Sequence, residues 1–260
     1  MQIVGYATDA GEGTAGLLFS DGDGAEPEFR SLAPGTELSH TLGDRRCAGT
    51  VHAGEHVACD AEAAPYCSQH DHTWVCARCT GTCLKDEMDC HEEHAIYLAA
   101  FAPDRFKVGV TRLWRLETRL REQGADRAAH VRTVKNGRIA RELEAGIAAR
   151  EDLPAPISDS VRVAVKRRGL GRDVDADAWR RLQAAFDPRE TFEFEYGLDL
   201  AKRPVAETML TGTVRGTKGR ILVLDRGGST YAVDLRDLVG HEVGSGRSPR
   251  DRQSSLGAFG

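Results

Sequence analysis

No stretch of this 260-residue sequence reaches the roughly 18 consecutive apolar residues that a membrane-spanning helix needs. The first residues, MQIVGYATDA, also lack the basic segment and the apolar segment of a secretory signal peptide. Cysteine is absent outside residues 47–90, and lysine occurs only six times, although lysine and arginine together number 35. We therefore expect a soluble, cytoplasmic protein with no membrane partner.

Seven cysteines lie within that one polar segment, and their spacing is typical of metal binding. An odd number without a secretion signal argues against a disulfide framework. Cys76-Ala-Arg-Cys79 is a CxxC turn, and Cys67-Ser-Gln-His70 is its C-x-x-H equivalent. Such turns present two ligands to one tetrahedral zinc ion. Seven cysteines and His70 supply the eight ligands that two closed sites need.

The sequential grouping is our preferred assignment of these ligands. The first site contains Cys47, Cys59, Cys67 and His70, and the second contains Cys76, Cys79, Cys83 and Cys90. A cross-braced pairing stays open, as does a set of thiols without metal, and His91 or His94 could replace the last ligand. His52, His56 and His72 are expected in loops. A site with four protein ligands has no open position for substrate, so both zinc ions are interpreted as structural.

The basic residues are distributed unevenly. Residues 105–150 contain twelve lysines and arginines against five acidic residues, which gives this segment a net charge of +7 and leaves −12 elsewhere. A basic block in an acidic protein indicates a surface for DNA or RNA. An arginine-rich helix face in contact with solvent explains the same pattern. The candidate nucleic-acid contacts are Arg112, Arg115, Arg121, Arg138 and Arg141.

Apolar periodicity and turn residues predict an α+β protein. Short strands are expected in residues 1–46 and again after Leu210, with a weak internal repeat between the two ends. The ends either form one small β unit or two unrelated ones. The predicted divisions are an N-terminal β segment (1–46), a zinc-binding module (47–93), a mixed domain (94–170), a helix with a C-terminal β segment (171–244) and a flexible tail (245–260).

The middle of the chain carries the clearest periodicity. The expected elements are strands His94–Phe101 and Phe106–Val110, helix Leu113–Glu122, strand His130–Val134, helix Arg138–Arg150, strand Val161–Lys166, helix Asp175–Phe186 and strand Thr191–Tyr196.

This order of elements resembles the GIY-YIG nuclease superfamily. Ala95-Ile96-Tyr97 matches the GIY element, and Lys107-Val108-Gly109 lies at the position of YIG. Arg119-Leu120 matches the arginine-leucine pair of the first helix, and Ala140-Arg-Glu-Leu-Glu144 has the spacing of the second helix. The resemblance covers about residues 94–152 and implies a three-stranded sheet with helices.

The resemblance also implies a chemistry for four residues. Glu144 would hold Mg²⁺ or Mn²⁺, Arg119 would clamp the phosphate, and Tyr97 would orient or deprotonate the attacking water. Lys107 replaces the second tyrosine and could bind phosphate or act as a base. Arg115 is a rival to Arg119, and the superfamily's asparagine has no counterpart in residues 153–160. Each of these residues could equally be an ordinary strand or helix-surface residue.

The whole chain is also similar to the family named domain of unknown function 2797, through its Cys-rich segment, Lys107–Thr111 and Glu122-Gln-Gly-Ala125. That similarity implies no activity. The leading hypothesis is a zinc-containing nucleic-acid-binding protein with an endonuclease-like domain. The alternatives are a non-catalytic DNA- or RNA-binding adaptor and a protein-interaction scaffold.

Overall fold

The structure is a computed structural model that describes residues 1–8, 14–71 and 91–246. Its strands are β1 (Gln2–Ala7), β2 (Gly16–Ser20), β3 (Glu28–Ser31), β4 (Glu37–Arg45), β5 (Thr50–His52), β6 (Glu55–Val57), β7 (His94–Phe101), β8 (Arg105–Arg112), β9 (Arg127–Val134), β10 (Ile157–Ser158), β11 (Glu190–Glu193), β12 (Val205–Ala206), β13 (Leu210–Lys218), β14 (Ile221–Arg226), β15 (Ser229–Asp234) and β16 (His241–Ser245). Its helices are α1 (Leu116–Glu122), which follows a 3₁₀ turn at Leu113–Arg115, α2 (Gly137–Ala148), α3 (Val163–Arg168), α4 (Ala176–Ala184) and α5 (Leu235–Leu238).

Strands from both ends of the chain share one nine-stranded sheet, in the order β12-β15-β14-β13-β4-β16-β1-β2-β3. β16 lies between β1 and β4, with Gln2 opposite Glu242. Ile3 of β1, Leu17 of β2 and Leu222 of β14 are buried in a common core. The two ends of the chain therefore depend on each other for burial of their apolar side chains.

The middle of the chain forms a second sheet with five strands, in the order β10-β8-β7-β9-β11. The three central strands are those expected from the sequence, and short strands extend the sheet at both edges. β7 is almost wholly buried because it lies at the centre and is covered on both faces. Tyr97 packs with Leu120 of α1 on one face, whereas Ile96 packs with Ala140 of α2 on the other.

The predicted strand at Val161–Lys166 is wrong, because the chain from Val163 onward forms helix α3. The alternating Val-Arg-Val-Ala-Val pattern suits a strand, but the surrounding structure favours a helix. A helical turn places Val163 and Lys166 on the same side, where Val163 packs beside Ile221 and Lys166 Nζ donates to the carbonyl oxygen of Gln123. A strand would point these two side chains in opposite directions.

The two large sheets meet where the turn between β13 and β14 packs on the end of α1. Lys218 forms an ion pair with Asp126 across this boundary. Gly219 has a φ of +54°, and a Cβ there would lie 2.6 Å from the amide nitrogen of Gly124. Both the positive φ and the close backbone approach require glycine at this position.

Within the described residues, every helix is too short or too polar to cross a membrane.

Candidate functional site

Cys47, Cys59, Cys67 and His70 converge beside the nine-stranded sheet. Cys47 follows β4 and is fully buried, and the β5–β6 hairpin brings the chain back toward Cys59. Cys67 and His70 lie on a tight turn in which the His70 amide donates to the Cys67 carbonyl oxygen over 2.9 Å. That turn is the C-x-x-H element of the sequence.

The distances in this Cys₃His group suit a tetrahedral metal ion. Nδ1 of His70 lies 3.4 Å from Sγ of Cys47 and 3.3 Å from Sγ of Cys67, and all four ligand atoms lie within 4.8 Å of one another. Ligands of a tetrahedral zinc ion are separated by roughly 3.5–3.8 Å, given metal–ligand distances of ~2.0–2.3 Å. The group could therefore hold a metal ion such as zinc.

Backbone amides also surround the sulfur atoms. The amides of Cys67 and Gly49 donate to Sγ of Cys47 over 3.2 and 3.4 Å. The pKa of Cys67 is lowered to about 7, mainly by the backbone N–H of Gln69, whereas burial raises the pKa of Cys47. These amides favour a thiolate, which is the form that binds metal.

The Cys₃His group contains none of the other candidate ligands that the structure describes. Cys76, Cys79, Cys83, Cys90 and His72 lie outside the described residues. His91 is exposed, and Nδ1 of His94 lies 2.7 Å from the Glu92 carbonyl oxygen, so neither belongs to the Cys₃His group. His56 was expected in a loop but is buried in β6, because its ring joins Ser20 Oγ and the Ala48 carbonyl oxygen over 2.8 Å each.

A second cluster is organised by Gln123, directly after α1. Its Nε2 donates to the hydroxyl oxygen of Tyr97 over 2.6 Å, and its Oε1 accepts from Lys107 Nζ over 3.0 Å. Its backbone carbonyl accepts from Lys166 Nζ over 2.7 Å. Gln123 Nε2 also donates to the carbonyl oxygen of Arg119, one turn earlier. Four elements of the chain thus meet at one amide side chain and its backbone.

Positive charge is in excess around Gln123. Within the described residues, neither Lys107 nor Lys166 has a carboxylate partner, and both donate only to neutral oxygens. Burial, together with the charges of Lys107, Arg220, Arg119 and Lys218, lowers the pKa of Lys166 to about 7. Nζ of Lys166 also lies 4.2 Å from the centre of the Phe101 ring. The cluster is therefore suited to an anion.

Gly109 makes room for the tyrosine in this cluster. It lies opposite Tyr97 in the β7–β8 pair, and a Cβ at Gly109 would lie 2.5 Å from both Cζ and the hydroxyl oxygen of the Tyr97 ring. The tyrosine side chain can cross the neighbouring strand only because Gly109 has no side chain. Tyr97 is only 1% exposed, so its hydroxyl is enclosed.

A family model described as "Protein of unknown function (DUF2797)" matches residues 43–243, which include the Cys₃His group and the whole Gln123 cluster. The chain belongs to the DUF2797 family. No curated protein and no solved structure matches it.

In this DUF2797 protein the four residues of the nuclease-like motif do not all meet. Tyr97, Lys107 and Arg119 lie on the side of the five-stranded sheet that α1 covers. Glu144 lies on α2, which packs on the opposite face through Ala140. Glu144 is 8% exposed and accepts a hydrogen bond of 2.6 Å from Arg141 Nη1. The sheet therefore separates Glu144 from Tyr97.

The five arginines predicted to bind nucleic acid each have a carboxylate neighbour. The pairs are Arg112–Glu92, Arg115–Glu122, Arg121–Glu117, Arg138–Glu142 and Arg141–Glu144, at 2.6 to 3.3 Å. Arg119 also contacts Glu122, at 3.1 Å. Most of these pairs are partly exposed, and such pairs contribute little to stability.

The sequence prediction missed Gln123, Lys166 and Lys218. The rarity of lysine could have indicated Lys166 and Lys218, because together with Lys107 they place three of only six lysines near one another. Arginine is the ordinary basic residue of this chain, so the use of lysine at these positions stands out. A lysine, unlike an arginine, can also lose its proton when buried.

Proposed function

We propose that this protein binds DNA or RNA through the phosphate backbone, with the Gln123 cluster as its central contact and zinc as a structural element. The observation that carries the proposal is the convergence of Lys107 and Lys166 on Gln123 beside Arg119, without a carboxylate partner for either lysine in the described residues. A phosphate oxygen would supply the negatively charged partner that the two lysines lack.

The accessible part of the cluster is at Arg119. Its side chain is 47% exposed, whereas Tyr97 is enclosed behind it. A backbone phosphate would contact Arg119 and Lys107, and Lys166 would add charge from behind. Arg115 lies in the 3₁₀ turn before α1 and Arg121 lies on α1, and their partly exposed side chains extend the surface. Arg138 and Arg141 lie on α2, across the sheet, and would contact a different part of a nucleic acid.

The GIY-YIG-like arrangement is part of the proposal. It is supported by the order hairpin β7–β8, helix α1, strand β9 and helix α2, with β7 between β8 and β9. Endonuclease activity is the second candidate, favoured by the hydrogen-bonded hydroxyl of Tyr97. A metal ion on Glu144 would lie across the sheet from that hydroxyl, so we favour binding without cleavage as the primary function.

The proposal also includes two structural zinc ions. The Cys₃His group supports the first, and the spacing of Cys76, Cys79, Cys83 and Cys90 supports the second. The first would fix the β5–β6 hairpin to the nine-stranded sheet, because Cys47 lies two residues after the end of β4 and Gln2 Nε2 donates to its carbonyl oxygen. Metal analysis of the purified protein should give close to two zinc equivalents, and a value near zero would refute this part.

The binding proposal is tested by fluorescence anisotropy with labelled single-stranded DNA, duplex DNA and RNA between 50 and 200 mM salt, roughly the range over which phosphate contacts weaken strongly. Lys107→Gln and Arg119→Gln should each weaken binding and reduce the salt slope by about 1. Arg180→Gln is the matched control, since Arg180 is 73% exposed on α4. Absence of binding at low salt would exclude the proposal and leave the protein-interaction scaffold.

Cleavage is examined with the same nucleic acids in the presence of Mg²⁺ or Mn²⁺. The wild type, Tyr97→Phe and Glu144→Ala are compared. Cleavage that both variants lose would favour the endonuclease candidate, and cleavage that both retain would indicate a contaminant or another site. Binding without cleavage is the expected result.

A further inference from the structure

A cleft of about 350 Å³ lies beside helix α3 and the segment before β12. Arg167 and Arg168, from the last turn of the helix, form one side, and Arg203 forms the other. Pro204 and Val205 add an apolar wall, and Val205 is 50% exposed. The cleft therefore combines a concentrated positive charge with a surface that favours an organic group.

The three arginines have no counter-charge in the part of the chain that the structure describes. Neither a hydrogen-bond acceptor nor a carboxylate partner is found there for any of their side chains, and Nε of Arg167 is buried without a hydrogen bond. Other arginines of the protein differ in this respect. Arg150 and Arg180, for example, each contact an aspartate within 2.8 Å. The buried Nε of Arg167 is therefore a donor without an acceptor, and the exposed side chains of Arg168 and Arg203 are free to bind an anionic ligand.

The backbone holds the two sides of the cleft in place. β12 pairs with β15, with Val205 opposite Tyr231, so the chain directly after Arg203 is part of the nine-stranded sheet. α3 is held on its other side by the hydrogen bond from Lys166 to the Gln123 carbonyl oxygen. Lys166 and Arg167 are neighbours in sequence but point to different sites. Lys166 contacts the Gln123 cluster, and Arg167 lines the cleft.

We propose that this cleft binds the phosphate monoester group of an organic molecule, either a free nucleotide or the 5′-phosphate end of a nucleic acid. A monoester carries close to two negative charges at neutral pH and three acceptor oxygens. Guanidinium groups form paired hydrogen bonds with such oxygens. The apolar wall formed by Pro204 and Val205 would contact the group that carries the phosphate. The cleft shares no residue with the Gln123 cluster, so it does not depend on the proposed backbone contact.

The experiment measures binding of adenosine 5′-monophosphate, adenosine and inorganic phosphate by isothermal titration calorimetry. The nucleotide should bind more tightly than inorganic phosphate, and adenosine should not bind. Arg203→Gln and Arg167→Gln should each weaken nucleotide binding roughly tenfold or more, since each removes a charge-assisted contact. Arg180→Gln, with the same loss of charge on another surface, should leave binding unchanged. Circular dichroism checks that each variant is folded.

The two sources of the phosphate are separated with one oligonucleotide that carries either a 5′-phosphate or a 5′-hydroxyl group. A preference for the phosphorylated form that Arg203→Gln abolishes assigns the cleft to a nucleic-acid end. Nucleotide binding without that preference assigns it to a free nucleotide. The proposal is overturned if no phosphate-bearing probe binds, or if both arginine variants bind as the wild type does. The 5′-hydroxyl oligonucleotide carries no phosphate monoester and measures binding at the Gln123 cluster alone, so failure there is distinct from failure at this cleft.

Discussion

Gln123 and Tyr97 are joined by a hydrogen bond of 2.6 Å in which the amide nitrogen donates to the phenol oxygen. The same amide accepts from Lys107 Nζ through its oxygen. One side chain thus orders a tyrosine from β7 and a lysine from β8, and it does so from the turn that packs against the other sheet.

Replacement of Gln123 by alanine should lower the free energy of unfolding by about 1–3 kcal/mol, because it leaves Tyr97 and Lys107 without their partner. Gln123→Glu should retain most of the stability, since a carboxylate can accept from both the tyrosine and the lysine and adds negative charge among cations. Urea denaturation measures the free energy of unfolding of both variants. An equal loss in the two variants would show that shape rather than hydrogen bonding decides the stability at this position.

Gly109→Ala should be destabilising by roughly 1–3 kcal/mol, because the new methyl group would overlap the Tyr97 ring. Gly146→Ala is the matched control. Gly146 lies in α2 with nothing within 4 Å of its added Cβ, so the same change should be neutral or stabilise by about 0.5–1 kcal/mol. Thermal unfolding distinguishes the two, and similar melting temperatures would contradict the close contact with Tyr97.

The stability of the protein should depend on pH through Lys166. Its pKa is lowered to about 7 in the folded state, by burial first and then by Lys107 of β8, Arg220 and Lys218 of the β13–β14 region and Arg119 of α1. An unfolded lysine titrates near ~10.4. The unfolded chain therefore binds more protons between these values, so stability should rise with pH from about 7 toward 10.

The Lys166→Met variant isolates this effect, because it removes the titrating group and keeps much of the side-chain volume. The wild type should gain stability relative to the variant as pH rises, by up to about 1.4 kcal/mol for each pH unit. Unfolding free energies at pH 6, 7, 8 and 9, with zinc present throughout, provide the measurement. Parallel pH curves for the two proteins would show that Lys166 keeps its ordinary pKa.

His70 and His56 should respond differently to replacement, although both lie near Cys47. His70→Ala removes one member of the Cys₃His group, so it should lose about one zinc equivalent as well as stability. His56→Ala removes hydrogen bonds to Ser20 and Ala48, so it should lower stability by about 1–3 kcal/mol and retain its zinc. Mass spectrometry measures the zinc content of each variant. Equal zinc loss in His70→Ala and His56→Ala would contradict the assignment of His70, but not His56, as a metal ligand.

Much of the local structure followed from the sequence. β7 has the predicted bounds, His94–Phe101, because a continuous apolar run that ends at the Pro103-Asp104 turn leaves little freedom in strand assignment. The grouping of Cys47 with His70 also followed from residue type and spacing, since few arrangements of cysteine and histidine suit one tetrahedral ion. These features depend on neighbours in sequence or on the chemistry of particular side chains.

Other features required the tertiary structure. Lys166 meets Gln123 across 43 positions of the chain, and Lys218 meets Asp126 across 92. The helix at α3, the glycine contact between Gly219 and Gly124, and the separation of Glu144 from Tyr97 by a sheet all depend on how distant elements pack. The periodicity of apolar residues indicates which face of a helix or strand is buried, but not which element covers that face. The sequence therefore determined the strands and the metal-binding character of the first ligand group, whereas packing decided which charged groups meet, because their contacts join residues that no local pattern relates.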